Sequence, residues 1–369
     1  MATVVIVGGG LGGLLAALQL AKQDISVTLF ERKQYPFHRV CGEYISNETV
    51  PFLRSLDVYP AVFQPPVIRE LQLTSVNGRA VTLPLDLGGF GISRFSFDGF
   101  LVQHLRAAGA TVKEQSEVTQ VTFNGQGFDV MAEGKPWSAD VVIGAHGKRS
   151  RLDTTLNRPF LRKRSPYVGV KYHIRYDQPR ERISLHNFEN GYCGISQVED
   201  GKSNLCYLVH RDAVKKHHHI PELEKSVLHR NPYLKEIFTN AEFLFDRPEV
   251  INEISFATKG PLEGHVLMGG DAAGMITPLC GNGMAMAIHA SKLLAEEVGA
   301  FCRNEITRDQ MEQRYATRWN NLFAKRLWAG RQIQNLFGSE WASNLAVNLA
   351  RFAPPIANFL IRQTHGQPF

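Results

Sequence analysis

The chain alternates between two hydrophobic periods. Thr3-Val4-Val5-Ile6-Val7 is an unbroken β-branched run, the pattern of a parallel strand buried on both faces. It passes through Gly8-Gly9-Gly10-Leu11-Gly12-Gly13 into Leu14 to Ala21, a run of helix formers. A second apolar run, Ile25 to Phe30, ends in Glu31-Arg32. Ala139 to Ala145 predicts another buried strand that returns to the first sheet, and Val266 to Asp271 a last one ending in an acid. From Val168 to about Leu208 the period is two, which predicts an antiparallel sheet with Asn190-Gly191 as a hairpin turn. Glu70 to Val76 and Arg79 to Leu85 flank a second such turn, Asn77-Gly78, and Val118 to Phe123 and Phe128 to Ala132 alternate as a further pair. Helical spacing marks Asn47 to Leu56, a segment from Phe97 capped by Asp98 and ending at Gly109, Ala213 to His229, Gly281 to Ala300, and an amphipathic tail from Gln310 that breaks at Pro354-Pro355.

The order strand, glycine turn, helix, strand, acid has a specific chemical reading. Gly8 permits the tight turn, Gly10 lets a pyrophosphate approach the backbone, and Gly13 lets the helix pack closely on the sheet. The helix N-terminus offers free N–H groups and partial positive charge to phosphates. Glu31 stands where a carboxylate accepts hydrogen bonds from a ribose. This is a dinucleotide site, and the fingerprint alone does not choose between NAD and FAD.

Length and composition narrow the rest. The 369 residues suffice for a nucleotide domain with a large insertion, and 44% hydrophobic content is that of a globular core. The net charge of +6 is scattered, which argues against nucleic-acid binding. The five cysteines, Cys41, Cys193, Cys206, Cys280 and Cys302, include no C-x-x-C pair, so a reducing, cytoplasmic setting is expected, with neither a disulfide framework nor a zinc ribbon. His217-His218-His219 cannot converge on one ion because neighbouring side chains diverge, and no metal site is expected.

Three further segments complete the pattern: Arg94-Phe95-Ser96-Phe97-Asp98 with its helix, Asp140 to Gly147, and Gly270-Asp271-Ala272-Ala273-Gly274 with Pro278 and Gly281-Asn282-Gly283. Together with the opening fingerprint they resemble the flavin-dependent superfamily of p-hydroxybenzoate hydroxylase and the geranylgeranyl reductases, in order, to about residue 300. The resemblance implies an α/β fold: a Rossmann-type, glutathione-reductase-like FAD-binding domain (1–70, 93–160 and 255–305), an inserted, mainly antiparallel substrate sheet (71–92 and 161–254), and a C-terminal helical region (306–369). It puts Glu31 on the adenosine ribose, Arg32 and the Val118 backbone near the adenine, and Arg94 near the ribityl-pyrophosphate region. Asp271 falls on the ribityl chain, and Gly281, Gly283 and Met284 at the helix mouth against the isoalloxazine, where a helix N-terminus stabilises reduced-flavin charge. The Arg39-Val40-Cys41-Gly42-Glu43 loop looks most like the reductases, in which the Cys-Gly lies beside the flavin.

There is no second G-x-G-x-x-G, so NAD(P)H is expected as a transient electron donor, or an external flavin reductase in its place. Two positions depart from the superfamily. Where hydroxylases carry Asp-Gly after the buried strand, this chain has His146-Gly147. Where halogenases and isoprenoid reductases share Gly-Tyr/Trp-x-Trp-x-Phe/Ile-Pro, it has Gly191-Tyr192-Cys193-Gly194-Ile195-Ser196-Gln197. The expected function is a monooxygenase that hydroxylates a lipophilic aromatic or phenolic molecule through a flavin C4a-hydroperoxide. Reduction of isoprenoid double bonds is the alternative, and halogenation the third reading. Catalytic candidates are Cys41, His173 and Tyr192, with His186 as a further pocket residue. The tail carries apolar residues at helical spacing with Lys and Arg nearby, the pattern of a helix packed on the body or on a second subunit, or of one in peripheral contact with a membrane.

Overall fold

The computed structural model describes residues 2–162, 166–334, 339–363 and 365–369; the side chains of Glu253 and Cys280 lie outside the description. The Thr3–Val7 strand is the centre of a six-stranded sheet. Val141–Gly144 and Ser26–Phe30 flank it in parallel, Val266–Met268 and Thr111–Lys113 lie outside these, and Leu262–Glu263 adds an antiparallel edge. The helix Leu11–Ala21 is buried along its whole length. Such a helix must be covered on every side, and it lies between the sheet and the helices Arg94–Ala107 and Gly283–Cys302. Its approach to the sheet is set by Gly13, where a Cβ would stand 2.1 Å from the Gly8 carbonyl oxygen.

A second, nine-stranded sheet carries the Tyr167–Arg175, Ser203–His210, Gly191–Gln197 and Arg182–Phe188 strands in antiparallel array. Arg182–Phe188 then pairs in parallel with Val67–Thr74, so the sheet is mixed at that seam. Alternation splits its two faces. Val168, Val170, Tyr172 and Ile174 enter an apolar core under short helices, while Gly169, Lys171 and His173 point the other way. A separate three-stranded sheet spans Val118 to Ala139.

Four expectations are corrected. The cut after residue 70 falls inside Val67–Thr74, because a bulge between Ile68 and Glu70 takes the alternation out of phase. Tyr44–Ser46, from the expected nucleotide segment, pairs with Ala80–Gly91 at the edge of the large sheet. Ala213 to His229 is not one helix: it breaks at His218, whose φ is +59°, into Arg211–His217 and Ile220–Ser226. The helix expected from Phe97 begins at Arg94, and its cap is Ser93.

Ser93 Oγ accepts from the Ser96 amide at 3.1 Å and donates to buried Glu199 at 2.5 Å. Ser93→Ala removes a cap and leaves that carboxylate short of a donor. It should lower stability by about 1–3 kcal/mol, measurable as a shift in the denaturant midpoint with unchanged slope.

Candidate functional site

The two glycine corners open onto one continuous cavity of about 640 Å³. Gly8, Gly10, Leu11, Glu31, Arg32 and Val118 line one end. Arg39 and Arg94 line the cavity beside that end, and Cys41, Asp271, Gly281, Gly283 and Met284 line it as well. Gly13 lies behind the wall, where it sets the helix–sheet approach. The turn itself is locked from the side. Tyr35 donates to the Gly9 carbonyl at 2.5 Å, Arg39 donates to the same carbonyl at 3.2 Å, and Glu31 accepts from the Gly9 amide at 3.0 Å. Arg39 also bridges Glu31 and Asp98, at 3.0 and 3.1 Å.

Asp98 is fully buried and holds Arg94 through two 2.8 Å bonds, one turn along the same helix. This is why Asp98 does not cap the helix: a residue four beyond Arg94 shares its inward face. Burial opposes the Arg94 charge, but Asp98 outweighs it and raises the guanidinium pKa. A lasting cation therefore stands beside Gly10, whose Cβ would lie 3.6 Å from the Arg94 Nη2. A fixed cation beside a glycine at a helix N-terminus is an arrangement that suits an anionic group.

At the other corner Gly270 and Gly281 adopt φ of +56° and +63°, conformations that favour glycine. Asp271 sits between them in sequence on a short turn after Val266–Met268. Burial pushes its carboxyl up, and Lys259 and Arg94 pull it back. Lys259 donates to the carbonyls of Asp271 and Lys148, at 2.9 and 2.6 Å, and burial brings its ammonium down to about 8. It thus ties the 270 turn to the loop after Val141–Gly144.

The Cys41-Gly42 loop is held by a buried ionic cluster that sequence reasoning missed. Glu43 accepts from Lys171 Nζ at 2.5 Å, from the Arg94 amide at 2.8 Å, and pairs with His173 Nε2 at 2.7 Å. Its φ is +54°, unusual for a side chain with a Cβ and a mark of a constrained site. Lys171 also donates to the Arg39 carbonyl at 3.1 Å, and Asn204 to that of Cys41 at 3.1 Å. The available signal was Lys171 and His173 on one face of a strand, an ammonium and an imidazole that both need a polar partner when buried. His173 is consequently a holder of Glu43 and does not line the cavity. His186 does not either: it bonds Thr74 at 2.9 Å, stacks on Tyr233, and burial lowers its imidazole to about 3. Tyr192 does line the cavity, and so does Cys41, whose thiol is raised by burial and stays neutral.

Polar atoms on the wall test whether a cofactor fits. His146 Nδ1 and Tyr44 Oη are buried and have no partner among the described residues. Both residues line the cavity, one by the first glycine corner and one against Gly281. Atoms so placed are satisfied by a bound polar group. Two glycine corners, a buried cation, an acid at each corner and two waiting polar atoms together fit a flavin dinucleotide.

The comparisons agree with that geometry. The FAD binding domain family matches residues 1–319, and the chain belongs to it. It is an FAD-dependent oxidoreductase of the superfamily of p-hydroxybenzoate hydroxylase and the geranylgeranyl reductases. A digeranylgeranylglycerophospholipid reductase of Methanosarcina acetivorans is 25% identical over 336 residues, covering 86% of this chain and 80% of that protein. Its namesake from Methanocaldococcus jannaschii is also 25% identical, over 86% and 81%. Among solved structures, a geranylgeranyl bacteriochlorophyll reductase-like protein of Thermoplasma acidophilum is 19% identical. It has a TM-score of 0.74, with 98% of this chain and 100% of that one covered. The flavin-dependent halogenase CmlS reaches 0.76 at 20% identity, over 99% and 68%. At these identities the structures speak for the fold.

Glu43 supplies the test of this site. Burial alone would raise its carboxyl, yet Lys171 and His173 hold it down to about 2 from 4.5. The unfolded chain therefore takes up this proton first. The stabilisation is whole above about pH 4.5 and is lost as pH falls toward 2. Glu43→Gln strands a buried ammonium, so stability at neutral pH should drop by about 3–5 kcal/mol. The acid slope in that window should flatten, and flavin should leave more readily, as read by denaturation across pH and by flavin fluorescence.

Proposed function

We propose that the chain hydroxylates a lipophilic phenol with a long apolar tail, using FAD, molecular oxygen, and NAD(P)H or an external flavin reductase. The observation that carries this is Gly194. It occupies the position at which the halogenase and isoprenoid-reductase strand carries its second Trp, and it lines the cavity beside Tyr192. A Cβ there meets Leu185 and the Cys206 carbonyl only at 3.5 and 3.7 Å, so packing does not demand glycine. The missing indole leaves room for a substrate ring.

Past that strand the cavity is aliphatic. Leu71, Leu73, Leu83, Leu185 and Ile254 face it from the sheet, and Ala346, Ala350 and Ile361 from the C-terminal helices. This arm suits a hydrocarbon tail and keeps water from the reacting end. Bound FAD would supply the redox chemistry: NAD(P)H is oxidised, one oxygen atom enters the ring as hydroxyl and the other leaves as water. Arg94 and Arg39 would hold the diphosphate, Glu31 and Asp271 the sugar and ribityl hydroxyls, and the amides at Gly283 the electron-rich edge of the ring system. The neutral Cys41 thiol and the Cys41-Gly42 backbone would set the floor on which the substrate stacks.

A second reading, saturation of isoprenoid double bonds, is favoured by the reductase-like Cys41-Gly42 loop and by the names of the curated relatives. Oxygen uptake separates the two. With reduced pyridine nucleotide, alone or with a flavin reductase, a long-chain alkylphenol should stimulate oxygen consumption and gain one oxygen-18 atom from labelled O₂. Anaerobic saturation of a prenyl chain, with no labelled product in air, would overturn hydroxylation. Gly194→Trp should keep its flavin and lose roughly tenfold or more in kcat/KM, whereas Gly194→Ala should stay near wild type.

A further inference from the structure

Seven of the eleven large apolar side chains exposed among the described residues lie beyond residue 320. On the helix Glu340–Phe352, Trp341, Leu345 and Phe352 are spaced by four and seven and form one stripe; they are 75%, 46% and 78% exposed. Ile356 and Phe359, 50% and 60% exposed, extend it on the helix Pro354–Arg362. The inward side of the same two helices, including Ala350 and Leu360, walls the aliphatic arm of the cavity. The pair is therefore apolar both toward the site and toward the outside.

We infer that these two helices lie on an anionic lipid bilayer and form the partition between the membrane and the substrate arm. Charge selects this occupant. From residue 321 onward the sequence holds Lys325, Arg326, Arg331, Arg351 and Arg362 against Glu340 alone. Arg326 is engaged with Glu48 and Arg362 with Asp86, and Arg351 is exposed beside Phe352. A Trp at the rim, an apolar stripe and flanking cations are the features of helices that rest in a lipid interface. No helix among the described residues is long and apolar enough to cross a membrane, so contact is from the side. The inference rests on the arm as the site of a lipophilic substrate, which reaches it from the solvent in which it dissolves.

The test uses the full-length holoprotein and flotation with vesicles of phosphatidylcholine, with and without phosphatidylglycerol. Wild type should float with the phosphatidylglycerol vesicles, less so at high salt. The combined variant Phe352→Ser, Ile356→Ser, Phe359→Ser should lose about tenfold or more of that partition. These side chains do not line the cavity, so flavin content and oxygen uptake with a detergent-dispersed alkylphenol should be unchanged. Wild type that stays unbound, or a variant that floats equally well, would overturn the inference. So would a lipid-free wild-type dimer that the variant turns into a monomer, since the face would then belong to a second copy. Vesicle binding without any turnover would leave the inference standing and remove the proposed reaction instead.

Discussion

Glu43 joins the two halves of this protein. Its carboxylate receives the first amide of the helix Arg94–Ala107, the ammonium of Lys171 and the ring of His173. The first belongs to the nucleotide-binding half and the other two to the large sheet. A buried carboxylate is expensive unless it is paired and hydrogen-bonded, and this one is both. The chain accepts a left-handed backbone at Glu43 to make the connection. In return the Cys41-Gly42 turn is fixed against the cavity from below, with Asn204 fixing its carbonyl. Geometry of that kind, with Glu43 on the cavity wall held by Lys171 and His173 from behind it, is what a preorganised cofactor cleft requires.

The charges around the cleft hold one another in place. Arg94 and Arg39 share Asp98, which is buried, and so stay oriented. Asp271 is pushed toward its neutral form by burial and restrained by Lys259 and Arg94. A hydroxyl donor arriving beside it gives the carboxylate what solvent no longer supplies. His146 plays a related part. Its Nε2 is paired with Asp153, which also bonds Arg158 at 2.9 Å and is held down to about 2 despite its burial. That arrangement fixes the imidazole ring and leaves Nδ1 directed at no described partner. The exchange of the hydroxylases' Asp for His146 thus puts an imidazole at the cleft in place of a carboxylate.

Local chemistry was legible in the sequence. The first strand, the glycine turn, the buried helix and the return strand at Val141–Gly144 follow from residue type and period alone, because each is decided by neighbours within a few positions. The hairpin at Asn77-Gly78 was legible for the same reason, with Thr74 opposite Ala80. What failed depended on distant groups. Asp98 has the composition of a cap, but its partners are Arg94 and an arginine 59 residues away. His173 and His186 look like pocket residues on an alternating strand, yet each is claimed by a partner, Glu43 in one case and Thr74 in the other. The bulge after Ile68 shifts a domain edge that alternation alone could not place. Side chains whose role is to satisfy a buried group elsewhere carry no local signature of which group that is.

The long arm of the cavity explains why such a chain keeps an inserted sheet and a helical tail at all. Binding a dinucleotide draws mainly on the six-stranded sheet, its two corners and the Arg39, Arg94 and Asp98 group beside them. Controlling the reaction of a reduced flavin needs a dry, shaped volume over it, and a sheet with one apolar face supplies a flat wall but no roof. Leu73, Leu185 and Leu208 on the sheet close against Ala346 and Val347 on the tail, so the roof is the tail helix itself. Small residues on its inner side let the helix come close, and Ser343 satisfies the Val76 amide at the rim of the hairpin. A helix that must be apolar inward to roof the arm has only its outer face left to keep it soluble. This one spends that face on Trp341, Leu345 and Phe352. Exposed apolar surface is a standing liability for a protein that works alone in water, so a face of this kind is one built to be covered.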